Sequence, residues 1–132
     1  MNPKQHLKNE QGQTMTELAL VAPILLLLLF GIIQFGIVFN NYVTLTDAAR
    51  AAARKGAVSR QESDPKGTCE AAGYAAGANL DAPGTKFVVT CSGSFTAGSD
   101  VTVTAKYPYD ITLLGWAVAS GWLDTTMKER VE

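Results

Sequence analysis

Hydrophobic and polar positions divide this chain into three unequal parts. A polar leader ends near residue 12, a continuous apolar run extends from Leu18 to Phe39, and a longer segment of mixed, mostly small residues follows. The run is 22 residues long, carries no charge and includes one amide, Gln34. At about 1.5 Å per residue a helix of that length spans roughly 33 Å, enough to cross a bilayer core of about 30 Å. A secretory signal has an apolar core of about 7 to 15 residues followed by a small-x-small cleavage site, and Gln34-Phe35-Gly36-Ile37-Val38-Phe39 offers none. A soluble core helix would have to be surrounded, and the rest of the chain is too small for that. The pattern predicts a membrane-spanning helix over 18–39.

The helical pattern continues past the membrane edge. Tyr42 is placed to sit at the interface. From Thr44 to Lys55 the chain is rich in alanine and free of proline, which favours helix. One helix is predicted from about Thr14 to Lys55, ended by Gly56 as its C′ residue. Leu45, Ala49 and Ala52 or Ala53 recur at helical spacing, a narrow apolar stripe for a head to pack against. Pro23 is predicted to kink or loosen the first third.

Beyond residue 56 the periodicity changes. Asp64-Pro65 reads as a helix start, with Asp as N-cap and Pro at N1, and Cys69 to Leu80 as a short helix. Gly73-x-x-x-Gly77 permits close backbone approach, most simply to the long helix. Lys86 to Ser92 and Asp100 to Tyr107 are predicted strands, rich in Val, Thr and Phe. Turn residues between them predict an antiparallel hairpin, and Pro108 is expected to end the second strand. A closing strand is predicted from about Gly121 to Val131. Trp122, Asp124, Thr126 and Lys128 would share one of its faces, and Leu123, Thr125 and Met127 the other. The fold class is α+β: a long N-terminal transmembrane helix followed by a small head, with a short helix on a three-stranded antiparallel sheet. The apolar, aromatic stretch from Tyr107 to Trp122 either packs into the core, the simpler expectation, or is exposed as a partner surface.

Composition narrows the function. The chain has 132 residues and a formal net charge of −1, so it lacks the basic face that nucleic acid requires. A single histidine (His6) and two cysteines leave too few ligands for a metal site and no nucleophile–base pair. No phosphate-binding loop is present: Gly93-Ser94-Phe95-Thr96-Ala97-Gly98 lacks the lysine. The chain reads as non-enzymatic, with no cofactor. Cys69 and Cys91 are expected to form a disulfide, the alternative being two buried free thiols. Lys4 and Lys8 before the run favour a cytoplasmic N-terminus, while Arg50, Arg54, Lys55 and Arg60 after it argue the other way. The cysteine pair favours an extracytoplasmic head, because disulfides persist in oxidising compartments.

The leader ends at Gly12, and five residues later Glu17 stands at the edge of the apolar run. Thr14-Met15-Thr16-Glu17 fits a capping box on its own. The whole arrangement, a short charged leader, Gly, four residues, Glu and a long apolar helix, resembles the class III signal of type IV prepilins. That resemblance implies cleavage between Gly12 and Gln13 by a prepilin peptidase on the cytoplasmic face. It makes Thr14 the second and Glu17 the fifth residue of the mature chain, and it places Pro23 where pilin helices often carry proline. A carboxylate at the edge of hydrocarbon is costly unless paired or protonated. The new amine at Gln13 would neutralise Glu17 in the membrane or, in a filament, meet Glu17 of a neighbour and set axial register.

A second resemblance covers the helix itself. Glu17, Pro23, Gly31-Ile32-Ile33-Gln34-Phe35-Gly36, Ala48-Ala49-Arg50 and Ala53-Arg54 resemble the N-terminal region of TadE-like proteins, pilin-like proteins of the tight adherence (Flp) pilus system. In that family Glu often stands where Gln34 does. The resemblance implies a leader over 1–12, a pilin-like helix over 13–56 and an extracytoplasmic head over 57–132. It implies a minor pilin or pseudopilin of a Tad pilus or secretion system that supports assembly and adhesion. The implied partners are prepilin peptidase, other pilin subunits through the N-terminal helix, the inner-membrane assembly platform and the lipid bilayer. The head is then extracytoplasmic, and the subunit is either held in the inner membrane or incorporated into a surface pilus. Two alternatives stay open: a major filament-forming pilin, and a single-pass anchored binding module that never polymerises.

Overall fold

The computed structural model describes residues 3–80 and 86–132, with side chains from residue 12 onward in the first helix. The leader side chains Lys4, His6, Lys8 and Glu10 lie outside the described residues. The first helix, α1, runs unbroken over Pro3–Val58 and contains Pro23. It is longer than the sequence predicts, and Gly56 does not end it. Gly56 lies buried inside the last turn, where an added Cβ would sit 3.0 Å from Cys69 Sγ and 3.2 Å from Val101 Cγ1. Its small size serves packing rather than capping. The chain leaves the helix at Ser59, a buried residue whose hydroxyl lies 3.1 Å from the Gly56 carbonyl and 3.3 Å from that of Pro65.

The second helix, α2, spans Pro65–Ala76 and starts where Asp64-Pro65 predicts. The Asp64 carboxylate accepts the Gly67 N–H at 2.9 Å, satisfying one of the amides a helix start leaves unpaired. The helix ends at Ala76, short of Leu80. Three antiparallel strands follow: β1 (Val88–Gly93), β2 (Asp100–Leu113) and β3 (Trp116–Arg130), in the spatial order β1-β2-β3. The fold is α+β, as the sequence pattern implies.

The head packs on the last third of α1. Leu45, Ala48, Ala49, Ala52 and Ala53 are at most 2% exposed, so the predicted stripe is the helix's contribution to the core. Its alanines let the sheet and α2 approach closely. Val101, Val103 and Ala105 alternate inward from β2, and Val89 and Cys91 from β1. Each fully buried valine contributes about 1.5–3 kcal/mol. Phe87 closes one end of the core, with the Tyr74 ring edge-on to it at 5.4 Å. On β3, Leu123, Thr125 and Met127 are half-buried while Trp122, Asp124, Thr126 and Lys128 are exposed, the alternation expected of a sheet with one solvated face.

Two strand boundaries differ from expectation. β2 continues through Pro108 to Leu113, and β3 begins at Trp116 rather than near Gly121. β1 pairs with β2 only from Val101 to Lys106. Beyond Lys106, β2 has a single neighbour, and Pro108 sits opposite Trp122 in that pairing. Proline is tolerated on such a strand because an open edge has no ladder bond to lose. The result is a long hairpin that outruns β1. The core-packing expectation for 107–122 fails at its tip, where Leu114 and Trp116 are more than 80% exposed.

Candidate functional site

The chemistry-bearing residues of the N-terminal segment share one turn of α1. Gln13 Nε2 donates to Glu17 Oε1 at 3.1 Å, and Thr16 Oγ1 donates to the Gly12 carbonyl at 2.8 Å. Gly12, Gln13, Thr14 and Glu17 are all exposed. Gln13 and Glu17 are four residues apart and therefore neighbours on the helix surface. In the uncut chain Thr14 lies inside α1, so no helix start exists there for a capping box to serve. Gly12 has no packing reason either: an added Cβ would meet nothing within 4 Å. A glycine inside a helix costs about 1 kcal/mol relative to alanine, and here the fold gives no return for it.

The apolar run is bare. Between Glu17 and Asp47 the sequence has no charged side chain. Of the most apolar stretch of α1, none is buried by the rest of the protein. Leucines and isoleucines point outward all round, with Leu20 72% and Ile32 70% exposed. A helix apolar on every face belongs in lipid or inside a bundle. This one is long and apolar enough to cross a membrane. Pro23 falls within it.

Gln34 departs from that pattern. With Val38 and Asn41 it lines a groove between α1 and the hairpin, opposite Tyr107, Tyr109 and Trp122. The linear pattern does not predict this groove. Its one visible signal is a lone amide inside an otherwise apolar run.

In the head, Cys69 of α2 and Cys91 of β1 form a disulfide. Both are at most 1% exposed, so the bond lies within the core and ties α2 to the sheet. Among the described residues no three His, Cys, Asp or Glu side chains converge as a metal site would need.

Residues 12–54 match the family described as TadE-like protein. The match begins at Gly12, covers α1 almost to its end and stops before the head. The TadE-like resemblance of the sequence is therefore borne out over that helix. No curated protein and no solved structure matches the chain.

Proposed function

We propose that this protein is a pilin-like structural subunit of a tight adherence (Flp) pilus or a related secretion system. In this reading it is a minor component that primes or caps the filament, supports adhesion and performs no catalysis. One observation carries the proposal: within the TadE-like segment, the run from Leu18 to Phe39 is apolar on every face, and the rest of the chain buries none of its most apolar stretch. Such a surface is stable in a bilayer and equally in a bundle of like helices, so the same rod can pass from one to the other. The Gly12–Glu17 turn stands at its end, where processing would release it for that transfer.

In this proposal prepilin peptidase cuts between Gly12 and Gln13 on the cytoplasmic side of the inner membrane. The assembly platform then gathers mature helices, and the head remains extracytoplasmic. The core disulfide supports that side, since oxidised cysteines persist outside the cytoplasm. The head supports a minor role, because it adds a helix, a sheet and a protruding hairpin to every copy that would have to pack. The test is the mass of the N-terminus in cells with and without the peptidase. A mature chain beginning at Gln13 only when the peptidase is present is the expected result. A working protein that retains Met1 overturns processing and leaves an anchored module. Scarcity in sheared filaments separates a minor from a major subunit.

A further inference from the structure

The inner face of the β2–β3 hairpin does not end where β1 ends. Beyond Lys106, Tyr107, Tyr109, Ile111 and Leu113 of β2 are half-buried, and on β3 Gly121 and Leu123 continue the half-buried face of Thr125 and Met127. A matching stripe leads out of the core along α1. Gly31, Gln34, Val38 and Asn41 are half-buried, while the residues between them are exposed. These positions are three or four apart and so share one helix face. The two faces meet in the groove that Gln34, Val38 and Asn41 form with Tyr107, Tyr109 and Trp122. The hairpin therefore lies over the head-side part of the apolar run.

This seat and a bilayer cannot share the run. With the hairpin seated, the run is clear only from Leu18 to Phe30, about 20 Å of helix against a hydrocarbon core of about 30 Å. The tip reaches farther still. Leu114 lies five residues beyond Tyr109, about 17 Å along the strand at about 3.4 Å per residue, which brings it level with the middle of the run. Among the described residues, β3 has no strand on its outer side, and β2 has none on its own outer side beyond Lys106. Both edges present unpaired N–H and C=O groups that hydrocarbon does not tolerate. A hairpin seated on α1 thus excludes lipid from that stretch, and lipid around that stretch excludes the hairpin.

We propose that the β2–β3 hairpin is a strap that competes with the bilayer for the head-side part of α1. It is lifted off while the run is in lipid and closes over Gly31, Gln34, Val38 and Asn41 when the run leaves it. The inference rests on α1 spanning the bilayer, as in the proposed function. Composition suits the closed position. From Ile111 to Leu123 the hairpin carries no charge, so closing against an apolar helix desolvates none. The stripe it covers holds the run's one amide, Gln34, and the amide of Asn41 just beyond it, the groups there least suited to hydrocarbon. Gly121 shapes the seat: an added Cβ would sit 3.0 Å from Tyr109 Cε1, so the bare backbone lets the Tyr109 ring lie across β3. Lifting leaves the head sheet intact, because β1 pairs with β2 only as far as Lys106. Head and rod then change together when α1 is withdrawn from the membrane.

Ile37 and Asp110 line the groove from its two sides and are exposed. Cys69 and Cys91 are joined in the core, so Ile37→Cys with Asp110→Cys supplies two free thiols for nitroxide labels. The full chain is labelled in dodecyl maltoside micelles, which impose no hydrocarbon slab of fixed thickness. It is then diluted with unlabelled protein and reconstituted into phosphatidylcholine–phosphatidylglycerol vesicles. The separation of the two labels is read by dipolar electron paramagnetic resonance. The expected result is strong dipolar broadening in micelles, lost in vesicles in favour of a longer distance. Absence of broadening in micelles overturns the proposal, because the hairpin then has no seat to leave. Carbonate extraction of the same vesicles reads α1 separately. Retained protein whose broadening equals that in micelles overturns the strap alone, whereas extracted protein removes the spanning helix and the competition with it.

Discussion

Gly73 of α2 lies against Val89 of β1, so closely that a Cβ on Gly73 would fall 2.8 Å from Val89 Cγ1. The same added atom would sit 3.1 Å from the Cβ of Ala52 on α1. One missing side chain thus allows three elements to meet. Gly73→Val is expected to destabilise the head by about 1–3 kcal/mol through overpacking. For a domain of this size each kcal/mol moves Tm by about 4–8 °C. Thermal unfolding of the full-length protein in detergent, followed by near-ultraviolet circular dichroism, measures it. An unchanged midpoint would show that the contact is softer than its geometry.

The disulfide between Cys69 and Cys91 closes a loop of sequence separation 22. In the chain-entropy account a loop of that length is worth about 3 kcal/mol, a large share of the roughly 5–15 kcal/mol that a whole domain commands. The double variant Cys69→Ala, Cys91→Ala is expected to lower the unfolding midpoint of the head without changing processing at the N-terminus. Urea titration of wild type with and without reductant gives the same comparison without mutation.

Asp64 caps α2 through the Gly67 N–H. Asp64→Ala is expected to cost about 0.5–2 kcal/mol, while Asp64→Ser or Asp64→Asn retains most of the stability. A change as large for Asn as for Ala would mean that the carboxylate acts by charge and not as an acceptor.

Local chemistry made much of this fold legible. Asp64-Pro65 announces α2, the run from Leu18 to Phe39 announces an apolar helix that the head leaves uncovered, and the alternation from Trp122 to Lys128 gives the correct faces of β3. Gly73 was legible as a close approach to α1, although its tighter neighbour belongs to the sheet. What stayed hidden depends on partners far away in sequence. Pro108 reads as a strand terminator unless one knows that β2 has a single neighbour there. Leu114-Gly115 lacks the Asn that signals a two-residue turn, so the hairpin looks like an apolar loop. Gly56 at the end of an alanine-rich helix reads as a cap, and only the positions of Cys69 and Val101 reveal it as a packing gap. In the candidate site the Gly12–Glu17 turn was legible from its spacing. The placement of Gln34 beside the hairpin was not, because it follows from tertiary packing.

Glu17 is the last charge before a long uncharged stretch, and its carboxylate is reached by Gln13, the residue that processing would make the first. If the mature amine takes over that contact, whether within the chain or from a neighbour, charge at Glu17 is needed for assembly and not for folding. Glu17→Ala and Glu17→Gln are both expected to lower recovery in sheared filaments while membrane level and head stability stay as in wild type. Incorporation equal to wild type for both variants removes the pairing role.

Leu114 holds a left-handed turn position without packing into the core. Its positive φ is a cost that Asn bears more easily. Leu114→Asn is therefore expected to raise the unfolding midpoint of the head in detergent by an amount on the order of 1 kcal/mol. Thermal unfolding followed by near-ultraviolet circular dichroism measures it, and a lowered midpoint would show that the leucine side chain stabilises the hairpin more than its backbone conformation costs.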